Sequence, residues 1–357
     1  MRLGKSAELV VFILLILIMA IGGGCNLGDD DDDDGGVPVP EDDDDDAVSD
    51  DDDNNLPDDD DSADDDDSTP DDDDASDDDD SQDDDDDDSD DDDNDDDDDV
   101  PYQAPDGFEV TFIDVGQGDA ALLRFPGGST VLVDGGPNWA GNDDILPYFE
   151  DMNLIHLDLI VVSHPHSDHI GGLDEVIKKV EVDEIWENGE PKDSQAYDDF
   201  SDAADDYDID RRDVAKGYSC TIDGCYIDVL SAAEVNGDEN SKSIVMTIEC
   251  EDIILLMTGD ATEETQEYLI DLYGYDLSSD IVKIPHHGSP DRDYNFPDYV
   301  TPEFAVVSCG EDNPYGHPDS DAMEEWEDAG AVTYRTDQDG NVVILAQDGY
   351  MSVSTEY

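Results

Sequence analysis

Short apolar runs recur along the chain only after about residue 100, where they alternate with glycine-rich turns in the manner of strands. The runs predict strands at residues 108–115, 121–125, 130–134, 157–162, 184–186, 225–230, 243–250, 253–258, 281–284, 304–308, 332–335, 341–346 and 350–354. Helical periodicity is found near 144–152, after Gly172, before an acidic loop that holds Arg211 and Arg212, and at 261–273. Two strand-rich halves, each with helices, predict an α/β fold in which two sheets pack face to face with helices outside.

Residues 107–357 are predicted to form one folded domain, and residues 26–106 a disordered, Asp-rich linker. From Asp29 to Asp99 the chain is mostly aspartate and contains no Lys, Arg or aromatic residue. Such a segment cannot bury enough apolar surface to become ordered, and its like charges extend it. Calcium binding is the sharper interpretation, but calcium loops need a turn-forming Gly and spaced ligands. A spacer with diffuse counter-ions is therefore favoured.

The first 25 residues have the pattern of an export signal. Arg2 and Lys5 precede an apolar run of 13 residues, Leu9 to Ile21. A membrane-spanning helix needs about 20 residues, so the run fits the core of a secretory signal better. Gly22 to Cys25 resemble the cleavage box of bacterial lipoproteins, although that box usually has Leu where Gly22 stands. The segment predicts an extracytoplasmic protein anchored by a lipid on Cys25; a plain signal peptide and an uncleaved anchor are the alternatives.

The other cysteines do not have the spacing of a zinc site. Cys220 and Cys225 flank T-I-D-G, which is typical of a hairpin turn, so these two could form a disulfide in an oxidising compartment. Cys250 and Cys309 each end an apolar run and are predicted to be buried thiols.

The stretch S-H-P-H-S-D-H-I-G-G concentrates metal-binding side chains at the carboxyl end of a predicted strand. It places His164, His166, Asp168 and His169 within six positions, and the whole chain has seven histidines. Two residues apart, His164 and His166 can converge on one point, while Asp168 and His169 can face a second. Imidazole nitrogens with a carboxylate suit zinc or a similar divalent ion. A polar helix-capping loop is the alternative interpretation.

Three further motifs follow strand ends in the second half of the domain. In M-T-G-D, Asp260 could bridge two metal ions or cap the next helix. In K-I-P-H-H-G-S, the pair His286 and His287 indicates ligands or catalytic groups. In N-P-Y-G-H-P, His317 lies in a Pro- and Gly-rich loop, where a histidine can face either a substrate or solvent.

H-x-H-x-D-H at a strand end resembles the signature of the metallo-β-lactamase superfamily. The strings F-I-D-V-G-Q-G-D-A, V-L-V-D-G-G, M-T-G-D, P-H-H-G-S and N-P-Y-G-H-P, in this order, are similar to the soluble hydrolase domain of ComEC-type competence proteins and its stand-alone relatives. The resemblance covers residues 107–357 and excludes the Asp-rich segment. It implies an αββα four-layer sandwich.

The resemblance also implies two divalent ions, zinc with manganese as the alternative. They would be held by these side chains: His164 and His166 for the first ion, Asp168, His169 and His287 for the second, and Asp260 between them. His287 is preferred to His286 because the superfamily commonly places the ligand before a small residue. The resemblance further implies supporting hydrogen bonds from Asp114, Asp119 and Asp134.

One superfamily ligand has no counterpart in the sequence. A further histidine is expected between the first motif and the bridging aspartate, but no histidine occurs between His169 and His286. The string E-N-S-K-S at 239–243 occupies that place. The first ion would then have only His164, His166 and Asp260 from the protein, with water completing its coordination.

The resemblance implies metal-dependent hydrolysis, and a phosphodiester or related phosphoester is the expected substrate. Asp168 would orient the attacking water or move its proton, and His286 or His317 would steady the leaving group. A competence-type DNA nuclease, a β-lactam or amide hydrolase and a non-catalytic metal-binding surface module are the alternatives.

The charge of the chain restricts the choice of substrate. Residues 101–357 contain 11 Lys and Arg against 58 Asp and Glu. Nucleic-acid-binding proteins show a basic footprint, and this part of the sequence has none beyond Arg211 and Arg212. Long DNA would be repelled at low salt, over a Debye length of roughly 10 Å at 0.1 M. A small or short phosphoester is therefore preferred to duplex DNA.

Overall fold

The computed structural model describes residues 101–357. The predicted signal segment, residues 1–25, and nearly all of the predicted linker, residues 26–106, lie outside the described residues. Within residues 101–357, no helix combines the length and the apolar character needed to cross a membrane.

The described residues form fifteen strands in two sheets. In chain order the strands are β1 (Phe108–Phe112), β2 (Ala121–Arg124), β3 (Thr130–Val133), β4 (His156–Val161), β5 (Glu181–Glu187), β6 (Asp210–Asp213), β7 (Ser219–Ile222), β8 (Cys225–Ser231), β9 (Val245–Cys250), β10 (Ile253–Met257), β11 (Ile281–Lys283), β12 (Phe304–Val307), β13 (Val332–Arg335), β14 (Val342–Gln347) and β15 (Tyr350–Thr355). The first sheet has the order β15-β14-β1-β2-β3-β4-β5-β6, and the second β13-β12-β11-β10-β9-β8-β7. Neighbouring strands are parallel from β3 to β6 and from β10 to β13.

Eight α-helices connect the strands of this region. They are α1 (Leu146–Asp151), α2 (Ser167–Ile170), α3 (Leu173–Ile177), α4 (Gln195–Asp206), α5 (Glu263–Tyr273), α6 (Phe296–Val300), α7 (Ser320–Asp328) and α8 (Thr336–Asp339). Single turns of other helix types occur at Gly141–Ile145, Asn240–Lys242, Gly274–Leu277 and Pro285–Gly288.

Three buried clusters show how the layers are stacked. Side chains alternate across a strand, so one face of each sheet can pack on the other sheet and the opposite face on helices. Val110 of the first sheet and Leu255 of the second belong to the cluster between the sheets. Ile160 packs with α1, α3 and α4 on the outer face of the first sheet, and Val282 with α5, α6 and α7 on that of the second. The predicted αββα four-layer sandwich is confirmed.

Two parts of the sequence-based topology need correction. Arg211 and Arg212 lie in β6, not in an acidic loop, and this strand pairs with β5. A four-residue polar edge strand leaves no apolar run to reveal it. Its arginines are held by ion pairs to Glu187 and Glu184, at 2.7 and 2.6 Å. The last hairpin, β14 with β15, pairs with β1 in the first sheet, so the two strand-rich halves of the sequence do not correspond fully to the two sheets.

The disulfide joins Cys225 to Cys250, so the predicted pairing of Cys225 with Cys220 is wrong, as is the prediction of a thiol at Cys250. In the hairpin of β7 and β8, Cys220 lies opposite Ile227 and Cys225 opposite Ile222, so the two cysteines do not face each other. The neighbouring strand β9 instead brings Cys250 to Cys225, with 4.6 Å between the Cα atoms. Cys309 is a buried thiol, as predicted.

Candidate metal centre

All the motifs singled out in the sequence emerge at strand ends along one edge of the fold. His164 follows β4, Asp260 follows β10, His287 follows β11 and His317 follows β12. Because β10, β11 and β12 are parallel neighbours, their carboxyl ends lie at the same edge of the second sheet. The first sheet brings the end of β4 to the same place, which is where open α/β folds bind ligands.

The loop after β4 is shaped by the short helix α2 and not by a side-chain cap. His166 is the N-cap residue, its backbone is extended, and no side chain caps the helix. The backbone N–H of His169 donates to the carbonyl of His166, 3.0 Å away, which brings Asp168 and His169 into the first helical turn. The helix-capping interpretation of this motif therefore lacks the hydrogen bond that it requires.

The first group of candidate ligands contains His164, His166 and Asp260, whose ligand atoms all lie within 4.8 Å of one another. The Nε2 atom of His164 is 3.8 Å from Asp260 Oδ2. The Ser163 hydroxyl donates to Asp134 Oδ2 at 2.7 Å, so it can only accept from His164 Nδ1, which is 3.1 Å away. His164 Nε2 is thereby left with its lone pair towards Asp260.

The second group contains Asp168, His169 and His287, again with all ligand atoms within 4.8 Å. His287 Nε2 lies 3.5 Å from Asp168 Oδ2, and its Nδ1 donates to the Ser308 carbonyl at 2.9 Å. His169 Nδ1 donates to Asp134 Oδ2 at 2.8 Å. Each ring therefore has its Nδ1 held by an oxygen, which fixes its orientation and aims Nε2 into the site.

Asp260 lies between the two groups. Its Oδ1 is 3.3 Å from His169 Nε2 and 3.5 Å from His287 Nε2, while its Oδ2 faces His164. The N-cap position of the following helix is Thr262 and not Asp260, so the N-cap alternative is wrong. This carboxylate is positioned to contact cations in both groups at once.

The buried atoms of the site have the unmet hydrogen-bonding capacity that bound cations would satisfy. His164 Nε2, His169 Nε2, His287 Nε2 and Asp260 Oδ1 are all buried without a hydrogen-bond partner among the described residues. Such groups are costly to leave unpaired in a folded protein. Imidazole nitrogens and carboxylate oxygens are donors that divalent metal ions accept, so the residues fit a two-ion site.

Carboxylates control the protonation of the two buried histidines of the second group. Burial alone would lower their pKa values, but Asp260 raises the pKa of His169 well above its usual value and that of His287 to about 10. The pKa of His164 is lowered well below its usual value, first by burial and then by His169. Without metal the second group thus holds protons that a cation must displace.

An open cleft of about 340 Å³ lies over these groups. The predicted catalytic residues Asp168, His286 and His317 all line it. His286 is partly exposed, its Nε2 is 3.1 Å from Asn240 Nδ2, and its ring centroid is 5.7 Å from that of His317. The structure therefore places His286 towards the cleft and His287 among the buried candidate ligands, and the assignment of His287 as a ligand stays a prediction.

The three expected supporting aspartates do not all reach the site. Asp134 binds His169, and Asp119 Oδ1 is 3.2 Å from His287 Nδ1. Asp114 belongs instead to a separate acidic depression, where its carboxylate accepts from the Gly116 N–H at 3.1 Å. The expectation for Asp114 is wrong because the turn after β1 points this side chain away from the ligands.

Sequence reasoning missed several polar residues at the site. Lys283 is buried beside Asp119, and its position in an otherwise apolar strand was an available signal. Asn240 comes from the segment that replaces the missing histidine, and its buried Oδ1 has no hydrogen-bond partner within the described region. Glu239 also reaches the site, with Oε2 3.7 Å from His166 Nε2. No hydrophobic pattern could have brought these side chains together.

The chain is similar in sequence to competence proteins. ComE operon protein 3 of Bacillus subtilis (strain 168) is 26% identical over 256 residues, covering 66% of this chain and 32% of that protein. Competence protein ComA of Neisseria gonorrhoeae is 32% identical over 233 residues, which cover 65% of this chain and 31% of that protein. The chain thus spans about a third of the length of these curated relatives.

Solved structures of similar fold include CmlA, a diiron beta-hydroxylase from Streptomyces venezuelae, with a TM-score of 0.47 at 17% identity over 68% of this chain and 55% of that one. The metallo-beta-lactamase fold protein YhfI from Bacillus subtilis has a TM-score of 0.44 at 12% identity, over 68% of this chain and 99% of that protein.

The sequence profile of the Metallo-beta-lactamase superfamily matches residues 113–295, more than half of the chain. The chain belongs to the metallo-beta-lactamase superfamily, and its fold and site are those of a metal-dependent hydrolase.

Proposed function

We propose that this protein is a metal-dependent phosphodiesterase that acts on small or short phosphoesters. The observation that carries the proposal is the set of buried, unpartnered imidazole nitrogens around Asp260, directly beneath an open cleft. His286 and His317 line that cleft beside the candidate ligands, where a substrate would meet them.

Divalent ions bound to this site would supply Lewis acidity and an activated water molecule. The chain's own groups would orient the water and assist the leaving group. Burial would raise the pKa of Asp168, but His287, whose Nε2 is 3.5 Å from Asp168 Oδ2, and His169 hold it well below its usual value. Asp168 is therefore ionised and can accept a hydrogen bond from the attacking water.

His317 is suited to assist departure of the alcohol. Its pKa is lowered by burial and by His287, so the ring is neutral near pH 7 and keeps one N–H to donate. His286 lies beside it, with Nδ1 buried and without a hydrogen-bond partner in residues 101–357. His317 can therefore donate to the leaving oxygen from the cleft wall, whereas Nε2 of His286 accepts from the Asn240 amide, 3.1 Å away.

The charge and size of the site favour a small substrate. The cleft volume of about 340 Å³ is at the low end of the range for small-molecule sites. Arg211 and Arg212, the one basic pair noted in the sequence, are engaged by Glu187 and Glu184 and offer little to a phosphate backbone. An acidic domain with no accessible basic stripe is poorly matched to long DNA.

A DNA-degrading nuclease is the second candidate, because one relative is named competence protein ComA. A β-lactam or amide hydrolase and a non-catalytic metal-binding module remain further alternatives. The four differ in what the purified, metal-loaded protein turns over.

The decisive assay uses the full chain, loaded with zinc or manganese, and bis(4-nitrophenyl) phosphate. We expect metal-dependent release of nitrophenol, and a loss of at least about 100-fold for His164→Ala, because a lost ligand removes a bound ion. His156→Ala is the matched control, since His156 lies at the start of β4, where its partly exposed ring contacts Asp183 at 3.1 Å. It should retain wild-type activity.

Other outcomes would point elsewhere. Inertness with every metal would favour a binding module, and nitrocefin turnover without phosphodiesterase activity would favour an amide hydrolase. Faster cleavage of duplex DNA than of the small diester at low salt would favour the nuclease. We expect DNA cleavage, if any, to increase as added salt screens the acidic surface.

We also propose that the protein is held outside the cytoplasm by a lipid on Cys25. The disulfide between Cys225 and Cys250 supports an oxidising compartment. Cys25→Ser is expected to move the protein from the membrane fraction to the soluble fraction, as judged by blotting of fractionated cells. Cys309→Ser is the control. Retention of the Cys25 variant in membranes would instead indicate an uncleaved anchor.

A further inference from the structure

Two residues that line the cleft differ in chemistry from the candidate ligands. Lys192 lies near His166, to which Glu239 links it, and Tyr315 stacks on His317. Among the residues that line the cleft, Lys192 is the one permanent cation and Tyr315 the one large aromatic side chain apart from the histidines. Neither has a role in the chemistry proposed above.

Lys192 provides a single positive charge beside the candidate ligands. Its Nζ is 3.4 Å from Glu239 Oε1, and the other oxygen of Glu239 is 3.7 Å from His166 Nε2. The lysine side chain is about a quarter exposed, at 26%, so it reaches solvent at the cleft mouth. A substrate anion entering here would meet this ammonium group, and an ammonium group binds phosphate as a point charge.

Tyr315 presents an open aromatic face on a fixed turn. Tyr315 is 68% exposed, and its ring stacks on His317 with 5.7 Å between centroids and an interplanar angle of 26°. Asn313 Oδ1 accepts from the backbone N–H groups of Tyr315 and His317, at 3.2 and 3.0 Å. Its Nδ2 donates to the Gly310 carbonyl at 2.9 Å. The turn is therefore held in shape before any ligand arrives.

Exposure alone does not distinguish Tyr315, because other tyrosines are as exposed. Tyr294 and Tyr350 are 71% and 80% exposed, but neither lines the cleft. Among the tyrosines of residues 101–357, only Tyr315 combines high exposure, a stacked histidine and a place in the same cleft as Lys192. Planar rings stack favourably on such a surface whatever their exact substituents.

Carboxylates near Lys192 limit what its ammonium group can add to binding. Asp168 and Asp260 line the same cleft, and Glu239 pairs with Lys192. Lys192 therefore supplies a modest, non-directional attraction for a phosphate oxygen. The aromatic face of Tyr315 is the feature that can distinguish one phosphodiester from another.

We propose that the cleft selects phosphodiesters that have an aromatic ring on one ester arm, with Lys192 pairing with a phosphate oxygen and Tyr315 stacking on the ring. The proposal rests on the proposed phosphodiesterase function and adds a substrate class to it. The ring belongs to either an aryl group or a nucleobase, and both share this stacking chemistry.

The test measures binding of non-hydrolysable monoanions to the metal-loaded full chain by titration calorimetry. Methylphenylphosphinate and dimethylphosphinate differ only in phenyl for methyl, and both carry one charge. We expect the phenyl compound to bind roughly fivefold more tightly, and Tyr315→Ala to abolish that preference. Tyr315→Phe should keep it, and Tyr294→Ala is the matched control. Lys192→Met should weaken both compounds by a similar factor.

Equal binding of the two phosphinates by the wild type, or an unchanged preference in Tyr315→Ala, would overturn the proposal. A third probe, thymidine 5′-methylphosphonate, is also singly charged and shows whether a nucleobase is preferred to a phenyl ring. A preference for phenyl without any phosphodiester hydrolysis would refute the proposed function but support the aromatic subsite. Hydrolysis without a preference for phenyl would support the proposed function and refute the subsite.

Discussion

Asp260→Asn is expected to reduce the metal content from two ions per chain to at most one, and to lower kcat/KM for bis(4-nitrophenyl) phosphate by at least about a thousandfold. Asp260 is the side chain that faces both candidate groups, with Oδ1 towards His169 and His287 and Oδ2 towards His164. An amide has the same shape but lacks the negative charge, and its NH₂ cannot coordinate a cation. Metal content is measured by elemental analysis after dialysis.

The loss must be separated from a general effect of removing a carboxylate. Asp271→Asn makes the same chemical change on the exposed side of α5 and should leave both metal content and turnover unchanged. Circular dichroism of the metal-free Asp260 variant shows whether it is folded. If a folded Asp260→Asn protein still held two ions, the bridging position would have to be assigned to another carboxylate, and Asp119 would be the next candidate.

The sequence predicted those parts of the site that follow strand ends. His164, Asp260 and His287 each come directly after a buried apolar run, and a strand end is readable from hydrophobic pattern alone. The superfamily resemblance supplied their roles, which the convergence of the side chains supports but does not test. The choice of His287 over His286 also depended on the resemblance, since two adjacent histidines cannot be ranked by pattern.

The sequence could not predict contacts that depend on strand register or on neighbours far along the chain. Cys225 pairs with Cys250 because β8 lies beside β9, and a nearer cysteine made the wrong partner more attractive. The strand β6 is polar and so has no hydrophobic period to recognise. Asn240 reaches His286 through a single helical turn in a polar segment. In each case the tertiary arrangement, not local preference, decides the outcome.

Lys283 supports the candidate metal site through Asp119, which contacts the candidate ligand His287. It lies on β11 of the second sheet, and its Nζ is 2.5 Å from Oδ2 of Asp119, in the loop between β1 and β2 of the first sheet. The side chains of Lys283 and Asp119 are only 2% and 8% exposed. Burial would raise the pKa of Asp119, but Lys283 and then His287 lower it to about 2. The pair therefore joins the two sheets directly under the candidate metal site.

Lys283→Met is accordingly expected to lower the free energy of unfolding by about 3–5 kcal/mol, because it leaves the Asp119 carboxylate buried without its main counter-charge. Methionine fills a similar volume, so the loss would come from charge and not from a cavity. The measurement is urea unfolding of the metal-free protein at neutral pH. The double variant Lys283→Met/Asp119→Asn removes both charges and should recover at least half of the loss, since a neutral buried pair carries no uncompensated ion. A cost below about 1 kcal/mol for the single variant would mean that water or another group already compensates Asp119, and the pair could not be what holds the two sheets together at the site.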